Sequence, residues 1–254
     1  VVGRDGASRT ISATFDVRAW GPGGEWVLDR APALLGAEDD PHGFHTDHPL
    51  VSRLHRRFPG LRISRSNAVF ETLVPTVLEQ KVTGFESRRA YRQLVLKLGE
   101  PAPGPSGLML PPEPAAVAGT PYYELHVVGV ERNRADTLRR VASRAHHLEQ
   151  LLALPSAEAQ RQLTLIRGVG PWTAAEVALI AFGDPDAVSI GDYHIPHQVA
   201  FALAGEERGT DERMLELLEP FRGQRGRVIR LITAAGLGPE RKGPRMGPND
   251  FRDR

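Results

Sequence analysis

Residues 163–182, LTLIRGVGPWTAAEVALIAF, constrain the fold more than any other stretch. A helix carried to about Ile166 meets Gly168-Val169-Gly170, and Pro171 suits the first turn of a second helix. The segment therefore predicts a helical hairpin. Glycine without a Cβ lets the turn approach a neighbour closely, and free amides at the start of the second helix can bind an anion such as a phosphate oxygen. Glycine turns join helices in many proteins, so the turn alone is a weak signal. The adjoining loop over 183–194 is more specific, because it carries one carboxylate, Asp192, at the threshold of another helix.

Apolar residues at helical spacing recur on both sides of the hairpin. Helices are predicted over 48–58, 67–80, 84–98, 113–118, 132–153, 156–166, 171–182, 192–204, 211–219 and 223–235. Residues 99–112 form a proline–glycine connector. Residues 10–20, TISATFDVRAW, read instead as a strand, followed by a turn at Gly21–Gly24 and a short second strand. Two strands alone are marginal in water, which implies a partner layer upstream. The chain thus divides into a strand-containing segment, 1–45, and a helical domain, 46–254.

With 41% hydrophobic and 25% charged residues the chain is globular, and no apolar run approaches a membrane span. It contains no cysteine, which excludes disulfides, thiol catalysis, iron–sulfur clusters and thiolate zinc sites. The net charge of +1 does not by itself announce nucleic acid. Arginines, however, cluster at Arg132, Arg134, Arg139, Arg140 and Arg144, at Arg222, Arg225, Arg227 and Arg230, and from Arg241 to Arg254. Such clusters fit a local anion-binding face or, taken singly, a solvated helix face. His42, His45 and His48 sit among aspartates in a turn-rich stretch, where loop residues collect without ligating metal.

These features resemble the helix-hairpin-helix superfamily of DNA glycosylases, in particular its bacterial 3-methyladenine type. The resemblance rests on GVGPWTA (168–174), FGDPDAVSIGDYH (182–194), FETLVPTVLEQKVT (70–83) and EPFRGQRGRVIRLI (219–232). It implies a mainly α, two-lobed fold with a small strand-bearing N-terminal piece. It also implies a monomeric bacterial cytoplasmic enzyme working at the nucleoid on double-stranded DNA that contains a damaged, alkylated base. No resident cofactor or metal is implied, although a monovalent cation can join the hairpin to DNA. Asp192 is the implied catalytic carboxylate: cleavage of an N-glycosidic bond builds positive charge on the sugar, which a nearby anion stabilises. The same position suits a helix N-cap, and the two roles can coexist.

Bifunctional relatives carry a Schiff-base lysine just after the hairpin glycine. Trp172 stands there instead, and tryptophan cannot form an imine. The resemblance therefore implies simple hydrolysis to an abasic site. It places Trp172, Glu176, Tyr193, Arg230 and Tyr123 at the base pocket, with core burial the competing role for Tyr123. It places Gly168, Val169, Gly170, Gln80, Lys81, Val82 and His194 against DNA. Glu176 and Arg230 depart from the aromatic residues of the family, which opens the door to a hydrogen-bonding pocket and a different modified base. Lys81 departs from the usual apolar or amide wedge, leaving Gln80 or Val82 for that task. A non-catalytic DNA-binding module is the rival reading, since the hairpin also occurs in proteins that only hold DNA.

Overall fold

The computed structural model describes residues 14–240. Thirteen α-helices lie among them: α1 (Gly24–Leu34), α2 (Pro49–Arg57), α3 (Val69–Glu79), α4 (Gly84–Leu98), α5 (Pro114–Gly119), α6 (Tyr122–Val127), α7 (Arg132–Ala142), α8 (Ala145–Gln150), α9 (Ser156–Thr164), α10 (Pro171–Val177), α11 (Ile195–Ala204), α12 (Asp211–Leu218) and α13 (Arg225–Ala234). None is long and apolar enough to cross a membrane.

Two apolar cores define two lobes. The first is built around α3, whose Val69, Phe70, Leu73, Val74, Val77 and Leu78 are all buried. With apolar residues on nearly every side, α3 packs against α4, α7, α8 and α10. The second core joins Phe44, Val51 and Leu54 to Met214, Leu218, Val228, Ile229 and Ile232 of α12 and α13. Residues 183–194 run from one lobe to the other: Phe182 packs on the first core and Val188 belongs to the second.

The N-terminal strands are not found. Residues 14–20 have no regular structure, residues 10–13 lie outside the described residues, and 24–34 form α1. A strand needs a second strand to satisfy its amides, and none is offered among the described residues. Trp26, Val27 and Leu28 suggest β structure locally, but Glu25 in the first turn and the alanines and leucines beyond it suit a helix. The described part of segment 1–45 also packs into the helical body. Ala31 and Ala33 are buried, and the Ala33 carbonyl accepts the Arg65 amide at 3.0 Å.

Two further departures have local causes. The helix predicted over 132–153 breaks at Ser143–Arg144, where Arg144 leaves helical geometry, φ −117° and ψ 9°. The break sets α8 so that the Glu149 carboxylate accepts the Val69 and Phe70 amides at 3.0 and 2.8 Å, capping α3. Helix α6 has no counterpart among the predicted helices; its single six-residue stretch carries too little periodicity.

The arginine clusters are largely structural rather than a free cationic face. Arg227 is 1% exposed at its side chain and pairs with Asp39. Arg225 pairs with Asp186 at 2.6 Å, Arg222 with Glu219 at 2.8 Å, and Arg132 with Asp136 at 3.2 Å. Arg134 is buried, and its Nη1 donates to the Leu78 carbonyl at 2.8 Å. The Arg241–Arg254 group lies outside the described residues.

Candidate active site

The hairpin forms as its sequence dictates, with α9 and α10 joined through residues 165–170. Gly168 has φ +95°, and a Cβ there would stand 2.0 Å from Thr137 Oγ1 of α7. The turn can therefore lie against α7 only because this residue is glycine. Gly168→Ala is expected to cost at least about 2 kcal/mol of stability, since it combines left-handed strain with overpacking. Thermal unfolding of the variant checks this; an unchanged melting temperature would contradict the close contact.

Helix α7 supports more than the hairpin. Arg140 Nη1 donates to the Arg167 carbonyl in the hairpin turn, and Arg134 holds the carboxyl end of α3, where the 80–83 loop begins. Within that loop Gln80 Nε2 donates to the Gly168 carbonyl at 3.0 Å and to Thr173 Oγ1 at 2.8 Å. Gln80 is thus tied to the hairpin rather than held out as a wedge. Lys81 is exposed with φ +57°, a left-handed conformation uncommon for a non-glycine residue, and Val82 beside it is half-buried. In the hairpin itself the Val169 side chain is buried and its amide donates to the Ile166 carbonyl at 2.9 Å. The Gly168 and Gly170 amides have no such partner among the described residues.

The carbonyls of Ile166, Arg167, Gly168 and Gly170 each accept a hydrogen bond from within the chain. Among the described residues no group of three His, Cys, Asp or Glu side chains is placed to hold a metal. His48 caps α2 by accepting the Val51 amide at 3.4 Å.

Asp192 sits half-buried before α11. Its Oδ1 accepts the His194 and Ile195 amides at 2.7 and 2.8 Å, and its Oδ2 accepts Trp172 Nε1 at 3.0 Å. The carboxylate is both helix cap and the partner of the tryptophan in the first turn of α10. Three donors fix its orientation, and charge-assisted hydrogen bonds are the stronger kind. The loop that carries it is fastened on both flanks. The Gly191 amide donates to Asp211 Oδ2 at 3.0 Å, and the Arg227 amide to the Pro185 carbonyl at 2.9 Å. Asp186 additionally accepts the Gly223 and Arg225 amides at 2.8 and 3.0 Å.

Glu176 lies one turn beyond Trp172 on the same face of α10. The buried Ser189 hydroxyl donates to its Oε1. Burial pushes the Glu176 carboxyl above the ordinary glutamate range; the nearby Asp192 and Glu79 charges add to this, while Ser189 and Arg230 oppose it. Burial likewise raises Glu79, against the opposing charge of Arg88. Arg230 is exposed on α13 and forms no hydrogen bond or ion pair among the described residues, so it acts on Glu176 through its field alone.

The remaining residues read from the sequence lie at the margin. Tyr193 is 79% exposed and stacks edge-on against His194, ring centroids 4.9 Å apart. Tyr123 is 69% exposed on α6, so it is not a core residue, and it makes no hydrogen bond or ring contact with Trp172 or Asp192. Ser189, Asp211 and Thr137 carry no signal in the sequence, and Arg134 and Arg140 show there only as charge. Each acts on a residue far along the chain, and short-range spacing carries no trace of such a contact.

No family model matches the chain. A DNA-3-methyladenine glycosylase of Bacillus subtilis is 26% identical over 180 residues, covering 68% of this chain and 59% of that protein. A probable bifunctional transcriptional activator/DNA repair enzyme AlkA of Mycobacterium tuberculosis is 32% identical over 171 residues, 64% of this chain and 34% of that protein. The solved 3-methyladenine DNA-glycosylase of Archaeoglobus fulgidus superposes with a TM-score of 0.70 at 22% identity, covering 84% of this chain and 75% of that one. The chain is similar in sequence to these DNA glycosylases and shares the fold of the solved one. It spans about three-fifths of the length of the Bacillus subtilis relatives it matches.

The Trp172–Asp192 bond can be tested separately from the rest of the site. Trp172→Phe keeps an aromatic face and deletes the indole N–H. A hydrogen bond to a charged group contributes about 1.5–3 kcal/mol, so the variant is expected to lose about that much stability. Thermal unfolding measures it. A variant as stable as the parent would mean the bond does not hold the carboxylate in place.

Proposed function

We propose that the chain is a monofunctional DNA glycosylase, which hydrolyses the N-glycosidic bond of a damaged base in duplex DNA and leaves an abasic site. The observation that carries this reading is the Asp192 carboxylate, fixed by three donors beside Trp172 and next to the glycine hairpin. The fold and the names of the relatives support it. Alkylated purines are the first substrate class to expect, because such bases leave as neutral molecules and need no proton donor.

In this reading the Gly168 and Gly170 amides receive phosphate oxygens, and the 80–83 loop enters the space left by the extruded base. Lys81 at the loop tip reaches a phosphate or the opposite strand, and Val82 supplies the apolar contact. Trp172 stacks on the base, while Tyr193 and His194 line the outer rim. Asp192 faces the anomeric carbon, stabilises the developing oxocarbenium charge and accepts a proton from the attacking water. With no lysine at position 172 the reaction ends at hydrolysis. The enzyme works as a monomer on nucleoid DNA in the bacterial cytoplasm.

The test is direct. Duplex DNA bearing a single N7-methylguanine is incubated with the protein at neutral pH, and free base is measured by chromatography beside a protein-free control. Release of 7-methylguanine above that control, with the strand left uncut, is the expected result. Binding of the duplex without base release would assign the chain to DNA binding alone.

A further inference from the structure

Asp192 is carried by a loop that crosses between the lobes, and the two halves of that loop are held differently. Residues 183–187 are fastened to the start of α13. The Pro185 carbonyl accepts the Arg227 amide at 2.9 Å, and Asp186 accepts the Gly223 and Arg225 amides and the Arg225 guanidinium. Residues 188–193 lack such support. The Ile190 and Asp192 amides turn back on the Val188 and Ser189 carbonyls of the loop itself, at 2.9 and 3.3 Å. Among the described residues one hydrogen bond ties this stretch of backbone to another element, from the Gly191 amide to Asp211 Oδ2 at 3.0 Å. Gly191 has φ +89° and nothing within 4 Å of where a Cβ would stand, so glycine serves the backbone angle there and not a close contact. The other Asp211 oxygen, Oδ1, is sealed and accepts no hydrogen bond. A buried carboxylate oxygen without a donor is a standing cost, and the chain keeps it at the one point that anchors this half of the loop.

We infer that Asp211 is a positioning residue for Asp192. Asp211 opens α12, part of the second lobe, and holds the residue just before Asp192 through its backbone. Trp172 stands in the first turn of α10, part of the first lobe, and holds Asp192 Oδ2. The carboxylate is thus set from both lobes. The His194 and Ile195 amides do not replace the Asp211 tether, because they lie two and three residues further on and travel with the loop. The catalytic consequence rests on the glycosylase reading; the positional one does not.

The experiment compares Asp211→Ala, which removes the acceptor, with Asp211→Asn, which keeps one. Single-turnover release of 7-methylguanine from duplex is followed as protein concentration is raised. Small misplacements of a reacting group cost up to about 10²-fold, so the maximal rate of Asp211→Ala should fall by about 10-fold to 10²-fold. The half-saturating concentration and the urea midpoint should stay at the parent's values, and Asp211→Asn should restore the rate. In parallel, the Trp172 indole N–H signal, identified by its loss in Trp172→Phe, should exchange with solvent faster in Asp211→Ala and at the parent's rate in Asp211→Asn. An alanine variant with the parent's release and indole exchange would overturn the inference. So would equal losses in both variants, a change in half-saturation alone, or a loss of release matched by loss of folded protein. A parent protein that releases no base would sink the glycosylase reading, while indole exchange would still decide whether Asp211 positions Asp192.

Discussion

Asp192→Asn is expected to lower base release by about 10³-fold while damaged duplex is bound as tightly as by the parent protein. The substitution keeps the shape of the side chain. Its amide oxygen can still accept the His194 and Ile195 amides that now meet Oδ1 at 2.7 and 2.8 Å, so α11 keeps its cap. Two things change. The amide nitrogen faces the Trp172 indole N–H, donor against donor, where Oδ2 now accepts at 3.0 Å. The negative charge that would oppose the growing positive charge on the sugar also disappears. Single-turnover release and a mobility-shift titration on the same duplex separate these effects. Normal release would remove Asp192 from the reaction, whereas loss of binding and release together would make it a structural cap.

The largest stability effect is expected at Asp39. Its carboxylate, 4% exposed, pairs with Arg227, 1% exposed, and also accepts the Ile63 amide at 3.0 Å. Arg227 has one further side-chain partner, Gln224, at 2.7 Å. Removing one partner of a buried ion pair strands the other without water, at a cost of about 3–5 kcal/mol. Asp39→Ala should therefore lose that much in urea unfolding. Asp39→Leu combined with Arg227→Met should recover most of it, because a buried pair is often replaceable by apolar groups of similar size. A single variant within about 1 kcal/mol of the parent would mean that water reaches Arg227 after the change.

The hairpin is legible in the sequence because its determinants are local: two glycines, a proline and flanking helical periodicity fix it within a few residues. Asp192 is legible for the same reason, as a carboxylate one loop beyond. The arginines are not. Arg134, Arg140 and Arg227 read as a cationic surface, yet each guanidinium is matched to a carbonyl or carboxylate far along the chain, such as Leu78 for Arg134. A sequence shows the charge but not the acceptor. Residues 14–34 mislead for another reason. Their aromatic and β-branched residues favour a strand locally, but a strand exists only with a neighbour, and packing against Arg65 selects the helix. Gln80 reads from the sequence as a DNA-facing residue, and its hydrogen bonds to the hairpin give it a fastening role that spacing does not reveal.

Helix α7 braces both the glycine turn and the start of the 80–83 loop, through Thr137, Arg140 and Arg134. In the proposed reading the two points that engage a duplex are jaws on one shared frame, with a preset gap. On such a frame the nucleic acid, rather than the protein, would do the bending. Sites that kink cheaply, where a lesion has already weakened stacking, will fit the frame at lower cost than intact helix. Discrimination would then begin in the mechanics of the duplex, before any base reaches the tryptophan.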